Sequence, residues 1–243
     1  FLKKEQIKKV TFRKVVENPQ FRPLLRWEIS SNDYHVTGDL VYMARGFDWN
    51  AVYRMVVPDY GPATLITEAF ISNYSSINFN DLKLKLVEGS VGKQIKQQFR
   101  DNRKLSSSVM AAKPSMQLAN ESSLGDYHIY DFPDRFDLGK NEHITVRLYA
   151  PKLIDYSKTY VFKNAERSQK EEPLEIEYQV KNTIDNNLNI PLPQGRIELY
   201  QSTKDGLEFT GEDQVKQTPK GETATITAGR SFDVIGKRKV LDF

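Results

Sequence analysis

The stretch from Leu188 to Phe243 restricts this chain more than any other, because short alternating segments recur there between turn dipeptides. In the segment after Gly195, Ile197 and Leu199 alternate with Arg196, Glu198 and Tyr200. Successive side chains of a strand point to opposite faces, so this spacing describes a strand with one apolar and one polar face. Asp205-Gly206 suits a tight hairpin, since both residues tolerate positive φ. Leu207, Phe209 and Gly211 then share one face of the next strand. Pro219-Lys220-Gly221 turns the chain again. Residues 222–229 alternate once more, and Phe232, Val234 and Gly236 share a face of the last strand.

The same pattern runs through much of the remaining chain. Strands are expected at 24–30 and 34–44. A further strand carries Trp49, Ala51, Tyr53 and Met55 on one face, and Pro58 to Pro62 breaks it. Leu65, Thr67, Ala69 and Ile71 share a face of the next. Leu82, Leu84 and Leu86 oppose Lys83 and Lys85, the pattern of a strand with one wet side. His128, Tyr130 and Phe132 alternate with Tyr127, Ile129 and Asp131. Ile144, Val146 and Leu148 form one face near 143–152, and a short strand follows at 159–162. Leu174, Ile176, Tyr178 and Val180 oppose Glu175, Glu177, Gln179 and Lys181. Strands at this spacing, with turn signals between them, predict a β-sandwich.

Residues 92–126 differ. They are polar, rich in Ser and Gln and poor in β-branched residues, and they exceed the ~12–15 residues of an ordinary structureless loop. The expectation is an all-β protein with a basic leading segment at 1–19, a sandwich-like half at 20–91, a long polar connector at 92–126 and a second half at 127–243. The two halves should pack closely. A chain of 243 residues buries about 70% of its unfolded surface, enough for a core without staples.

Composition removes several chemistries. There is no cysteine, so disulfides, thiolate metal sites and thiol nucleophiles are excluded. Net charge is +3 from 35 basic and 32 acidic residues, too small a bias to indicate nucleic acid. No apolar run approaches the ~18 residues of a membrane span. His35, His128 and His143 each stand alone in a strand pattern, without a metal-ligand neighbour at close spacing. Ser106, Ser107 and Ser108 lie in the connector, a poor place for a preorganised nucleophile. No phosphate-cradling loop, serine elbow or calcium loop is present. No catalytic, cofactor or metal residue is therefore assigned.

Two surface chemistries remain. Carboxylates at Glu208, Glu212, Asp213 and Asp233 could form the ~5–10 Å pair of a glycoside hydrolase. Aromatic residues number 27, from 12 Tyr, 13 Phe and 2 Trp. Trp27, Trp49, Phe70 and Phe209 fit an inter-sheet core, whereas Tyr127, Tyr130 and Tyr200 are open to either core or surface roles.

Several blocks together resemble the domain of unknown function 4139 family. They are Trp49, Ala51 and Tyr53 after a glycine-containing turn; Leu86, Gly89 and Val91; and Pro193, Gly195, Ile197, Leu199 and Tyr200. They continue with Phe209, Gly211, Glu212 and Asp213, then Thr218, Pro219 and Lys220, and end with Phe232, Asp233 and Val234. The resemblance runs over about residues 20–243. It implies an exported or envelope protein, with a coiled-coil region and another small domain ahead of this one and a variable insert matching 92–126. It implies no activity and no catalytic residues. The leading expectation is thus an exported, non-enzymatic module for surface assembly or adhesion through protein contacts, at the cell surface, in the periplasm or outside the cell. The alternative is a carbohydrate-active or other hydrolase using paired carboxylates. Partners are expected to be a protein or a second copy, with carbohydrate also open, and with the edge strands near 24–30 and 237–243 contributing.

Overall fold

A computed structural model describes residues 29–32, 34–89, 118–163 and 170–239. The chain divides into two units, Phe1–Met43 and Ala44–Phe243. In the first, residues 34–43 form no strand, which corrects the strand expected at 34–44. Val36, Leu40 and Tyr42 there are exposed, so the alternation has no core to serve. The strand expected at 24–30 falls almost wholly outside the described residues, as does Trp27.

The second unit is built from strands. They are β1 (Phe47–Val57), β2 (Ala63–Asn73), β3 (Phe79–Glu88), β4 (Asn120–Leu124), β5 (Tyr127–Leu138) and β6 (His143–Ile154). They continue as β7 (Ser157–Val161), β8 (Glu171–Lys181), β9 (Gly195–Thr203), β10 (Gly206–Val215) and β11 (Thr223–Lys237). A single 3-10 turn at Ile184–Asn186 is the one helical element among the described residues. The all-β class follows directly from the alternation read above.

Three sheets result, in the orders β10-β9-β1-β2-β6, β11-β8-β7 and β3-β5-β4. The central five-stranded sheet turns Tyr53, Met55, Leu65, Ala69, Ile71, Val146, Leu148, Ile197 and Leu199 inward. One core joins part of this face to Tyr178, Val180, Ala224 and Ile226 of the β11-β8-β7 sheet. A second core joins the rest to Leu86, Tyr130, Phe132 and Leu138 of the β3-β5-β4 sheet. Burying a side chain of this size contributes about 1.5–3 kcal/mol, so the shared inner face holds both small sheets.

The two halves at 20–91 and 127–243 are not separate sandwiches. β1 and β2 come from the first, whereas β6, β9 and β10 come from the second, and all five share one sheet. The link is a parallel pairing of β1 with β9, from Ala51↔Gly195 to Val57↔Gln201. Gly195 is required there by close approach. A Cβ at this position would meet the carbonyl oxygen of Ala51, so any side chain pushes the strands apart.

Residues 92–117 of the expected connector lie outside the described residues. Its last part is corrected: β4 pairs antiparallel with β5, from Asn120↔Asp131 to Leu124↔Tyr127. A hairpin forms one residue earlier than the Asp205-Gly206 reading: Thr203 pairs with Gly206, so Lys204 and Asp205 are the loop residues, and Gly206 opens β10 at φ +136° while Asp205 keeps a negative φ. Only the glycine uses the freedom attributed to both.

Three buried asparagines close the loops. Asn182 is fully buried. Its Nδ2 donates to the carbonyls of Ile190 (2.7 Å), Pro219 (2.8 Å) and Thr218 (3.2 Å), and its Oδ1 accepts from the Ile190 N–H. Asn73 does the same for residues 75–77 and 139, and Asn186 ties Asp155 to Lys181. A buried loop backbone must find partners inside the protein, and an amide offers both a donor and an acceptor to supply them.

Candidate functional site

The charged outer face of the central sheet is internally neutralised. Arg54 on β1 reaches Glu68 on β2 and Glu198 on β9, and Arg196 bonds the same Glu198 at 2.9 Å. The Tyr200 hydroxyl donates to Glu198 as well. Glu68 and Glu198 are each held by a guanidinium, which knits the three strands together in one ion network.

A group of titratable side chains lies where the β3-β5-β4 sheet meets the Pro191–Gln194 segment. The Tyr53 hydroxyl donates to the Pro193 carbonyl at 2.6 Å, and the Tyr149 hydroxyl to the Pro191 carbonyl at 3.2 Å. Burial pushes Tyr53 and Tyr149 well above the usual phenol range, and Tyr130 up to about 12. All three therefore remain donors across the biological pH range. Glu88 stands beside them, its carboxyl raised by burial although the Gln194 N–H opposes the shift. His128, cross-strand from Glu88, is 2.9 Å from Glu121 through Nδ1, and Lys220 approaches the other Glu121 oxygen at 3.9 Å. The phenols are committed to backbone carbonyls, so the cluster acts as a polar seam. Tyr130 resolves to core and Tyr200 to the outer face, while Tyr127 is partly buried.

The sequence-nominated carboxylates are not drawn into one site by any bond. Asp213 accepts the N–H groups of Thr227 (2.6 Å) and Gln214 (2.8 Å), and so docks β11 onto β10. Glu212 lies 3.9 Å from Arg196. Glu208 and Asp233 are exposed on β10 and β11. The histidines are scattered: His35 in the first unit, His128 in the seam, and His143 with its ring 4.8 Å from that of Phe70. Among the described residues no group of three or more His, Asp or Glu is placed to hold a metal ion. Ser106, Ser107 and Ser108 lie outside the described residues.

Two surface features went unread in the sequence. The first is an apolar display on β10 and β11. Phe209 was expected in the core but is 57% exposed. A bulge between Phe209 and Gly211 places Phe209 opposite Tyr200 and Gly211 opposite Leu199, so the two residues lie on opposite faces. Phe70 is likewise on the outer face, only partly buried, and Trp49 is partly buried against the second core with its Nε1 donating to the Val87 carbonyl at 3.3 Å. On β11 the register passes from Arg230↔Glu175 to Ile235↔Pro173, so four residues, Ser231 to Val234, oppose Leu174 alone. Ser231 is buried and its Oγ accepts the Val234 N–H at 3.0 Å, which fixes the excursion. Phe232 at its crest is 93% exposed.

The second is an open cleft of about 530 Å³ beside the β11-β8-β7 sheet, lined by Asp155, Tyr156, Gln179, Lys181, Asp185 and Thr223 among others. The Tyr156 ring tilts against Tyr178 at 5.6 Å. Burial, with Tyr178 beside it, raises the Tyr156 phenol above its ordinary value. No sequence signal marks this cleft, because its parts come from three separate segments. No helix among the described residues is long and apolar enough to cross a membrane. Set against family models and curated proteins, the chain matches none.

Proposed function

We propose that this chain is a non-enzymatic β module of the cell envelope or surface, acting in assembly or adhesion through protein–protein contact. The observation that carries this reading is Phe232, a ring displayed almost completely to solvent on a hydrogen-bonded excursion of an edge strand. A rigid, exposed aromatic at the margin of a sheet suits an anchor, because little side-chain entropy is lost when a partner covers it. Ile235 at 60% exposed extends the apolar surface along the same strand. A stable contact buries about 1,200–2,000 Å² in total, an area that a sheet edge and its flanking face can supply. Export is the part supported by the family resemblance of the Phe209–Asp213 and Phe232–Val234 blocks. The partner is a second copy or another envelope protein.

The hydrolase alternative has less behind it, since Asp213 is occupied by backbone N–H groups and Glu212 faces an arginine. A photo-reactive benzoylphenylalanine in place of Phe232, introduced in the native source, tests the proposal. Irradiation should give a covalent adduct with a polypeptide, and the same probe at Tyr60, which is 94% exposed on another loop, should give none. Equal labelling at both positions, or none at 232, overturns the reading.

A further inference from the structure

We infer that the cleft beside the β11-β8-β7 sheet is a binding subsite for a neutral saccharide, a ligand independent of the protein contact proposed above. The cleft is about 530 Å³, within the range of small-ligand sites. Its floor is set by strand register. Ser157 on β7 lies opposite Gln179 on β8, and Lys181 on β8 lies opposite Thr223 on β11. Its wall is the loop after β8, which is fixed rather than loose. Asn186, buried, accepts the Asp155 N–H at 2.6 Å and donates to the carbonyls of Asp155 (3.0 Å) and Lys181 (2.9 Å). Concavity and rigidity are therefore both built in before any ligand arrives, which lowers the cost of binding.

The chemistry of the lining selects the ligand. On the same outer face of β8, Glu175 and Glu177 are both taken up by Lys163, at 2.8 and 2.6 Å. Two residues further on that pairing stops. The side chains of Gln179, Lys181, Asp155 and Asp185 carry no hydrogen bond or ion pair with any described residue, although they face one concavity. They offer donors and acceptors of both kinds: an amide, an ammonium and two carboxylates, with hydroxyls between. No aliphatic side chain lines the cleft, so it lacks the apolar anchor pocket that a peptide would need. Charges of both signs in one small space disfavour a strong polyanion or polycation. A ligand with many hydroxyls, each both donor and acceptor, satisfies such a lining, and Tyr156 supplies the one aromatic residue at its edge.

The test is titration of the full chain with tetra-N-acetylchitotetraose, cellotetraose and maltotetraose, followed by saturation-transfer NMR. At least one should bind saturably, in the millimolar to high-micromolar range typical of a small polar interface. Gln179→Ala and Asp185→Ala, both at exposed positions, should weaken that binding at least tenfold without moving the melting temperature. Tyr156→Phe should retain it. Phe232→Ser should also retain it, which separates this site from the protein contact. Absence of saturable binding by all three, or binding indifferent to Gln179→Ala and Asp185→Ala, overturns the inference.

Discussion

Asn182 and Phe232 break the same rule in opposite directions. Asn182, an amide, is fully buried where the loop after β8 meets the turn before β11, whereas Phe232 is 93% exposed on β11. The difference lies in what the local backbone needs. Around Asn182 the backbone has left the ladders, and the carbonyls of Ile190 and Pro219 are satisfied by a side chain. Around Phe232 a small hydroxyl, Ser231 Oγ, accepts the Val234 N–H, and the ring is left with no core to enter. The first exception holds the fold together. The second holds nothing together within the chain, which is why it is the proposed anchor for a partner.

The most severe way to break this comparison is Asn182→Ala. It removes every bond from the amide and leaves both the N–H and the carbonyl of Ile190 inside without a partner, whereas the Thr218 and Pro219 carbonyls keep the N–H groups of Leu192 and Glu222. Each buried orphan costs about 1–3 kcal/mol, so a loss of about 3–5 kcal/mol is expected by urea denaturation. Asn182→Asp should not rescue it, because a carboxylate cannot donate to carbonyls. A loss under about 1 kcal/mol would show that water takes over the amide's partners.

Trp49→Ala sits between the extremes. The indole packs edge-on against Tyr130 with ring centroids 5.9 Å apart and bonds the Val87 carbonyl, but it is only partly buried. A fully buried aromatic costs about 3–5 kcal/mol on truncation, so a smaller loss of about 2–3 kcal/mol is expected here. Thermal denaturation of the variant decides whether the edge of the second core is as tightly held as its centre.

Much of this was legible beforehand, and the failures share a cause. On β1, β2, β6, β8 and β9 the inward sets were read correctly, because their buried residues keep period two; the register shifts of the β2–β6 and β8–β11 pairs place their extra residues on β6 from Leu148 onward and on β11. Phe209 was misplaced because Thr210 is inserted at a bulge, and one extra residue sends every later side chain to the other face. The excursion at Ser231–Val234 hid Phe232 in the same way. β4 was missed because Asn-Glu-Ser-Ser-Leu carries no apolar alternation, and it pairs only because β5 presents an open edge. The β1–β9 partnership was beyond reach: alternation says that a strand has two faces and says nothing about its neighbour. The seam failed for a related reason, since Glu88, Glu121 and His128 come from three strands and meet only after pairing.

Glu88→Gln tests whether that seam behaves like the buried asparagine or like an exposed charge. Burial raises the Glu88 carboxyl, so its ionised form disfavours the folded state. The folded protein binds this proton more tightly than the unfolded chain does. The penalty is fully present above the folded value, shrinks as pH falls through it, and is gone below the ordinary carboxylate range. Gln keeps an acceptor for the Gln194 N–H and removes the charge. The variant should therefore melt slightly higher than the parent at pH 7, with the gap closing by pH 3. A gap of opposite sign would mean that the charge is stabilised by His128 more than it is penalised by burial.

The smallest expected effect on stability is the most informative about use. Phe232→Ser removes a ring that is 93% exposed and leaves intact the Val234 N–H to Ser231 bond that shapes the excursion. Surface changes away from special features stay within about 0.5 kcal/mol, and the melting curve should move no more than that. Asn182→Ala costs the fold heavily whether or not a partner exists; Phe232→Ser costs the fold nothing and should cost the assembly a great deal. A central aromatic anchor accounts for about 2–4 kcal/mol of a protein contact, so association should weaken on the order of 30-fold to several hundred-fold. Size measurement by light scattering on protein from the native source reads the assembly, and calorimetry on the same sample reads the fold. If Phe232→Ser lowers the melting temperature as Asn182→Ala does, the ring is packed within its own chain in solution and cannot be the anchor. If it changes neither quantity, the contact lies elsewhere on the surface, and the contrast between the two residues is one of structure alone.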